Sequence, residues 1–214
     1  MEMIRKIIAE HKKHWTEKTL LVSSLVGILF FSISLFINKI AAGYATRSAS
    51  NYVNDIFLSN LPVVNVDFVV NDLAIIFLIF IVCLLIIKPK RISFVLKSAA
   101  LFVAIRAAFV VMTHLGPFPQ QSIIYQDDYL RSFNIGGDFF FSGHTGLPFL
   151  MALIFWDEKW IRYTCIIASI VFGTSVILGH LHYSIDVFGA FFITFTILHL
   201  AKKFFAKDYQ IFED

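Results

Sequence analysis

The chain has 214 residues, 58% of them apolar and only 15% charged, with a mean hydropathy of +0.76, so it lacks the polar surface that a soluble domain needs. A formal net charge of +3 is too small to argue for a nucleic-acid partner. Cys83 and Cys165 both fall inside apolar runs, which argues against a disulfide framework.

Residues Met1–Thr19 set Ile4, Ile7, Ile8 and Trp15 among charges, the pattern of a short amphipathic helix lying at a membrane surface. The first long apolar run begins near Leu20, behind a charged stretch, and continues for about the length needed to cross a ~30 Å hydrocarbon layer as a helix. It is read as a retained span rather than a cleaved leader. Six apolar segments follow one another: Leu20–Asn38, Leu73–Ile87, Ile92–His114, Phe139–Trp156, Ile161–Leu181 and Tyr183–Ala201. The second is short and gains length if Phe68-Val69-Val70 extend it; a re-entrant second segment would reduce the spans to five. The last two are nearly continuous, which requires a tight turn at Gly179–Ser184. The expected fold is an all-α integral membrane protein. It comprises an amphipathic segment at 1–19, a six-span catalytic domain at 20–201 and a cytoplasmic tail at 202–214.

Basic residues set the expected orientation. Arg5, Lys6, Lys12, Lys13, Lys18, Lys88, Lys90, Arg91, Lys97, Lys159, Arg162, Lys202, Lys203 and Lys207 fall on one side, against Lys39, Arg47 and Arg131 on the other. Arg106 is left inside a span. Both termini are therefore expected in the cytoplasm, with Trp15, Trp156 and Trp160 as anchors on that side. Two substantial loops, Lys39–Asp72 and Leu115–Asp138, fall outside. Lys97 reads as a snorkelling lysine, and His11 and His14 as members of a solvated helix. His199 lies away from the outer side, whereas His180 and His114 are on it without an evident partner.

The fourth segment opens with Asp138-Phe139-Phe140-Phe141-Ser142-Gly143-His144-Thr145. Ser142 suits an N-cap, Gly143 allows close backbone approach, and a helix N-terminus offers unpaired N–H groups to an anion. His144 stands there as a possible proton donor; the alternative is a cap beside a buried, hydrogen-bonded histidine. In Gly179-His180-Leu181-His182-Tyr183-Ser184-Ile185-Asp186, His182 and Asp186 are four apart and share a helix face. A carboxylate on one imidazole nitrogen fixes the tautomer and leaves the other free to attack or accept a proton. A purely structural His–Asp pair is the alternative, although an acid within lipid is costly. The topology brings His144, His182 and Asp186 to similar depth near the outer face. Arg106 lies about two turns below the outer end of its span and needs an anion: a phosphate, or Asp186 or Asp138 in a salt bridge.

These segments resemble the sphingomyelin synthase family, within the type-2 phosphatidic acid phosphatase superfamily. Asp138–Thr145 is similar to that family's third motif and His180–Val187 to its fourth. Arg106 with Thr113–Pro119 resembles the second, and Leu61-Pro62 with Asp67 and Asp72 only loosely the first. The resemblance covers about Leu61 to Leu200. It implies six spans, a site facing the outer side, His182 as a nucleophile forming a phosphohistidine, Asp186 orienting it, and His144 protonating the leaving alcohol. It also implies a scheme without metal or cofactor. Arg106, Ser142, Gly143, Asp138 and Tyr183 are then the expected phosphate-binding group. Two positions depart from the pattern. Val176 stands where the superfamily's phosphatases usually carry arginine, with Ser175 keeping the neighbouring serine. Leu181 replaces the acid that precedes the nucleophile in sphingomyelin synthases.

The expected activity is a membrane phosphotransferase or phosphohydrolase acting on a phospholipid head group. A diacylglycerol-type alcohol leaves, and a lipid alcohol or water accepts. A lipid phosphate phosphatase is the near alternative. An iron or zinc triad of two histidines and one carboxylate is a rival chemistry. A lipid or ion transporter is the rival class, since intramembrane His, Asp and Arg also mark transport pathways. The expected partners are the bilayer and its lipids, with no nucleic acid.

Overall fold

The computed structural model describes residues 2–122 and 139–213. Asp138, Gly136, Gly137 and Arg131 therefore lie outside the described residues. The elements are α1 (Glu2–Thr16), α2 (Lys18–Arg47), α3 (Ala74–Ile87), α4 (Ile92–Met112), α5 (Gly143–Ile154), α6 (Lys159–Leu178), α7 (Ser184–Phe204) and α8 (Ala206–Glu213). A π-helical turn, Val69–Leu73, leads into α3, so this span does gain length upstream and runs over Val69–Ile87. A 3₁₀ turn, Pro89–Arg91, leads into α4.

Among the described residues, five helices are long and apolar enough to cross a membrane: α2, the extended α3, α4, α6 and α7. The chain is an integral membrane protein built on them. The expected sixth span falls short. α5 has 12 residues, about 18 Å at 1.5 Å per residue, against a hydrocarbon layer of roughly 30 Å. Its sequence is apolar enough, but Phe139–Ser142 are drawn out of the helix. Their backbone serves neighbours instead: Phe141 O accepts from Arg106, and Ser142 N–H donates to Asp186 O.

α4 is the central element, with 61% of its span buried inside the protein against 17–39% for the other four. α2 packs along it through small residues, Ser24, Gly27, Ser34, Ala41 and Ala45, which let the two backbones approach. A Cβ on Gly27 would already touch Leu96 Cβ at 3.3 Å. α5 packs on α6 and α7, and the main core runs through Phe94, Phe102, Phe141, Leu150, Phe155 and Ile197.

The two ends of the bundle differ. One gathers α1, the α3–α4 turn, the α5–α6 turn and α8. There His11 Nε2 meets Ile86 O at 2.6 Å, and Glu158 pairs with Lys88 and Arg91. Three sequence readings change at this end. His14, read as solvated, is 1% exposed and meets Ser24 Oγ at 2.9 Å. Lys97, read as snorkelling, is buried and donates to Asp208 Oδ2 at 2.7 Å and Ser23 Oγ at 2.6 Å. Residues 202–213 of the expected tail complete α7 and then form α8, which turns back to supply Asp208 and to pack Phe212 on Phe94 and Phe155. The cause is the same in each case: a buried polar group found a partner outside its own helix.

The other end is rich in loops. Ser50 N–H and Oγ–H both donate to His114 O, Gly116 N–H donates to Asn51 O, and Val64 N–H to Leu178 O. These bonds lay segments 48–68 and 113–122 over the α6–α7 turn. Gly116 is required there, since a Cβ would fall 2.2 Å from Ser50 O.

Candidate active site

Most of the proposed site residues converge at this loop-rich end. The α6–α7 turn is tight, as the sequence requires. Gly179 caps α6, and a Cβ on it would lie 2.5 Å from Val66 Cγ2. His180 follows in the left-handed region at φ 55°, where a non-glycine residue is strained. The strain is held by contacts on both faces. His180 Nδ1 meets Gln120 O at 3.0 Å, Gln121 donates to His180 O at 3.1 Å, and the ring packs edge-on to Phe118. Leu181 and His182 N–H both donate back to Val176 O, at 2.8 and 3.3 Å. Val176 thus contributes its carbonyl where a guanidinium was the superfamily expectation.

This turn aims His182 at the start of α7. His182 is 7% exposed, and its Nδ1 lies 3.3 Å from Asp186 Oδ2. The same oxygen accepts Tyr183 N–H at 2.9 Å. Asp186 is wholly buried, and its second oxygen, Oδ1, has no hydrogen-bond partner. Because Nδ1 faces the carboxylate, Nε2 is the nitrogen left for chemistry, and a proton on Nδ1 would be held by Asp186.

α5 begins alongside. Ser142 is its N-cap, accepting Thr145 N–H at 3.3 Å and Thr145 Oγ1–H at 3.2 Å. The Ser142 N–H to Asp186 O bond, 3.1 Å, joins the start of α5 to the first turn of α7. Arg106 crosses from α4, 8% exposed, with Nε donating to Phe141 O at 2.9 Å and one Nη donating to Asn38 Oδ1 at 3.2 Å. A Cβ on Gly143 would lie 3.4 Å from Arg106 Nε, so the guanidinium lies against the open start of α5. Its charge also acts on Asp186. His144, one residue into α5, is partly exposed and packs edge-on to Phe172 at 6.4 Å. Among the described residues, no three His, Cys, Asp or Glu side chains converge as a metal-ligating group.

Tyr183 is placed differently from the expected phosphate ligand. It is 1% exposed, its hydroxyl donates to Gly116 O at 2.7 Å, and it accepts Val53 N–H at 3.3 Å. Burial pushes that hydroxyl's pKa up, keeping it a donor. Tyr183 ties both loops to the start of α7.

One residue escaped the sequence reading. Asp55 is 8% exposed, in the loop after α2. Its Oδ2 accepts Ser184 N–H and Ser184 Oγ–H, both at 2.8 Å, and its Oδ1 accepts Phe57 N–H at 2.9 Å and Leu58 N–H at 3.2 Å. Burial alone would raise its pKa, but these four bonds outweigh it and hold the carboxyl below the usual range. A carboxylate at the first N–H of α7 also suits the helix dipole. The local signal was only an acid followed by two apolar residues, as in an Asx turn; nothing local points 129 residues ahead to Ser184.

Residues 136–203 match the family model described as PAP2 superfamily C-terminal. The match supports the type-2 phosphatidic acid phosphatase superfamily. No curated protein and no solved structure matches the chain. The matched segment contains Ser142, Gly143, His144, His182, Tyr183 and Asp186, whereas Arg106 and Asp55 lie upstream of it. Members of the superfamily are phosphatases and phosphotransferases, which supports an enzyme of the lipid phosphate hydrolysis type, with lipids as substrates and the bilayer as its setting.

Proposed function

We propose that this chain cleaves the phosphate linkage of a membrane phospholipid by way of a phosphohistidine, passing the phosphoryl group to water or to a lipid alcohol, as in a sphingomyelin synthase-like enzyme. The observation that carries the proposal is the His182 Nδ1–Asp186 Oδ2 pair, set one backbone hydrogen bond away from the Arg106-flanked start of α5.

His182 Nε2 attacks phosphorus while Asp186 holds the Nδ1 proton and stabilises the imidazolium that forms. The P–O bond to the diacylglycerol-type alcohol breaks, and His144 delivers its proton to the departing oxygen. In the second step, water or an alcohol gives that proton back to His144 as its oxygen attacks phosphorus, and the P–N bond breaks to restore His182. Arg106, the Ser142 hydroxyl and the Gly143 N–H meet the negative charge on the non-bridging oxygens. Asp138 keeps its place in the expected phosphate-binding group, and Tyr183 serves the site indirectly by holding the turn in place. In this reading the loop-rich end faces the outer side and both termini lie in the cytoplasm, as the basic residues direct.

Leu181 packs with the apolar cluster around Tyr183 and Val66 and offers no base to an acceptor alcohol. Water is therefore as good an acceptor as a lipid hydroxyl, which keeps a lipid phosphate phosphatase as the close second reading.

The test uses purified protein in vesicles with phosphatidic acid, phosphatidylcholine and phosphatidylethanolamine labelled at phosphorus, followed by alkaline quench. The expected result is acid-labile label on the protein and release of diacylglycerol, both abolished in His182→Ala. Turnover that persists in His182→Ala would end the covalent scheme.

A further inference from the structure

The loop between α2 and α3 is built inside out for an aqueous segment. Between Arg47 and Lys88 there is no basic residue. Within 48–66 the one charged side chain, Asp55, is turned inward onto Ser184. Most of its apolar side chains point away from the protein, Leu58 and Val66 being buried: Ile56 is 77% exposed, and Tyr52, Val53, Phe57 and Val64 are each exposed by 40% or more. Scattered apolar residues on a surface need no explanation, but a contiguous group over one loop marks an interaction surface.

Two observations name the occupant. Phe57 packs on Phe188 at 5.9 Å between ring centroids. Phe188 lies in the second turn of α7, a span, so the loop tip reaches down beside a membrane helix rather than standing off in water. Ile185, Phe188, Phe192 and Phe195 form one exposed ridge along α7, on the side away from buried Asp186, Val187 and Ala190. The loop patch continues that ridge.

The second observation is the backbone. A non-helical segment tolerates lipid only if its polar groups are satisfied internally. Phe57, Leu58, Ser59, Asn60 and Leu61 present five consecutive N–H groups, and all are bonded. The first two donate to Asp55 Oδ1, the third to Asp55 O, and the last two to Phe57 O. Val53 and Val64 N–H on either side donate to Tyr183 Oη and Leu178 O.

We propose that residues 52–64 are an interfacial insertion, seated among the acyl chains of the leaflet on the active-site side. Together with the Ile185–Phe188–Phe192 ridge they form the surface along which a bilayer phospholipid lays its acyl chain as its head group reaches His182. The access role rests on the proposed function; the insertion itself does not. Asp55 joins the two, since it closes the turn that carries Phe57 and also holds the first residue of α7.

A nitroxide on Ile56→Cys, in a Cys83→Ser/Cys165→Ala background reconstituted in phosphatidylcholine vesicles, decides the insertion. Its collision rates with oxygen and with a water-soluble nickel chelate are compared with labels at Phe192→Cys and Lys207→Cys. An oxygen-to-chelate ratio near that of Phe192→Cys is expected; a ratio near that of Lys207→Cys overturns the insertion, whether or not the protein turns over any lipid. The second arm is Ile56→Asp, assayed on a long-chain phospholipid in vesicles and on a monomeric short-chain analogue. A KM raised about tenfold for the long-chain lipid alone, with kcat kept, supports the access role. Equal loss on both, or none on either, removes it.

Discussion

Each end of the bundle buries an acid with a basic partner, and the two pairs are finished differently. At the α1–α8 end, Asp208 is fully satisfied: Oδ2 takes Lys97 at 2.7 Å, and Oδ1 takes both Ser93 Oγ–H and Ser23 Oγ–H. At the loop-rich end, Asp186 bonds His182 at a looser 3.3 Å and leaves Oδ1 without a hydrogen bond, although it is wholly buried. A buried polar network is most stable when complete, and one left incomplete in a native protein calls for a reason. The closed network is a fastening. In the proposed mechanism the open one keeps capacity for a proton or charge that arrives with substrate.

The comparison is broken most directly by deleting one member of each pair. His182→Ala is expected to lower turnover of a phosphate-labelled lipid by about 10⁴-fold or more, the scale seen when a nucleophile or its base is removed from a catalytic group. Its thermal inactivation midpoint in detergent should fall less than that of Lys97→Ala, because Asp186 keeps the Tyr183 N–H bond when the looser contact to His182 is lost. Lys97→Ala should behave in the opposite way. It leaves a buried carboxylate unpaired, which costs about 3–5 kcal/mol, while the turnover of the surviving folded fraction stays near wild type. Lys97→Met/Asp208→Leu, which removes both charges, should recover most of that stability. If the double variant is no more stable than Lys97→Ala, the cluster is doing something other than fastening α8.

The sequence carried the spans and the site to different depths. Apolar runs are local signals, so five spans were legible, four of them within a few residues of their ends, whereas α2 runs on to Arg47 past the expected Asn38. His182 and Asp186 were legible as a pair because their four-residue spacing is local, although His182 stands in the turn before the Tyr183 N-cap and not on a shared helix face. Arg106 stood out because a charge in a span demands a partner. The misses share a physical form. Asp55–Ser184, Lys97–Asp208 and His14–Ser24 are polar contacts made across the fold or across a helix break, with no periodicity to announce them. α5 was read as a span because composition does not reveal that Phe139–Ser142 would give their backbone to Arg106 and Asp186.

Arg106 sharpens the contrast in a smaller way. Its guanidinium is anchored through Nε to Phe141 O and through one Nη to Asn38, geometry that an ammonium cannot reproduce. Arg106→Lys keeps the charge and loses the fork, so kcat/KM should fall by roughly 10- to 100-fold, with Arg106→Ala lower still. The ratio of turnover for phosphatidic acid to that for a neutral-headed phospholipid should fall as well, because phosphatidic acid carries more negative charge to be met. Activity near wild type in Arg106→Ala would take this residue out of the site.

The smallest expected effect concerns Asp55, and its pH dependence separates two opposing causes. Burial would raise the Asp55 pKa, whereas its bonds to Ser184, Leu58 and Phe57 lower it, and the bonds prevail. A carboxyl whose folded pKa is depressed contributes stability that is fully present above its unfolded pKa, about 3.9, and lost as pH falls through the lower folded value. Asp55→Asn should therefore lower the thermal inactivation midpoint by an amount equivalent to about 1 kcal/mol, the usual worth of a helix N-terminal cap. The gap between wild type and variant should be the same at pH 7 and pH 5. It should narrow only below about pH 3.9, as the wild-type carboxyl takes up its proton. Were burial to prevail instead, the wild-type carboxyl would take up its proton between pH 7 and pH 5 and the gap would close there. That would remove the anionic clamp on the first turn of α7 and leave Tyr183 alone, through Gly116 and Val53, to hold the loops against the site.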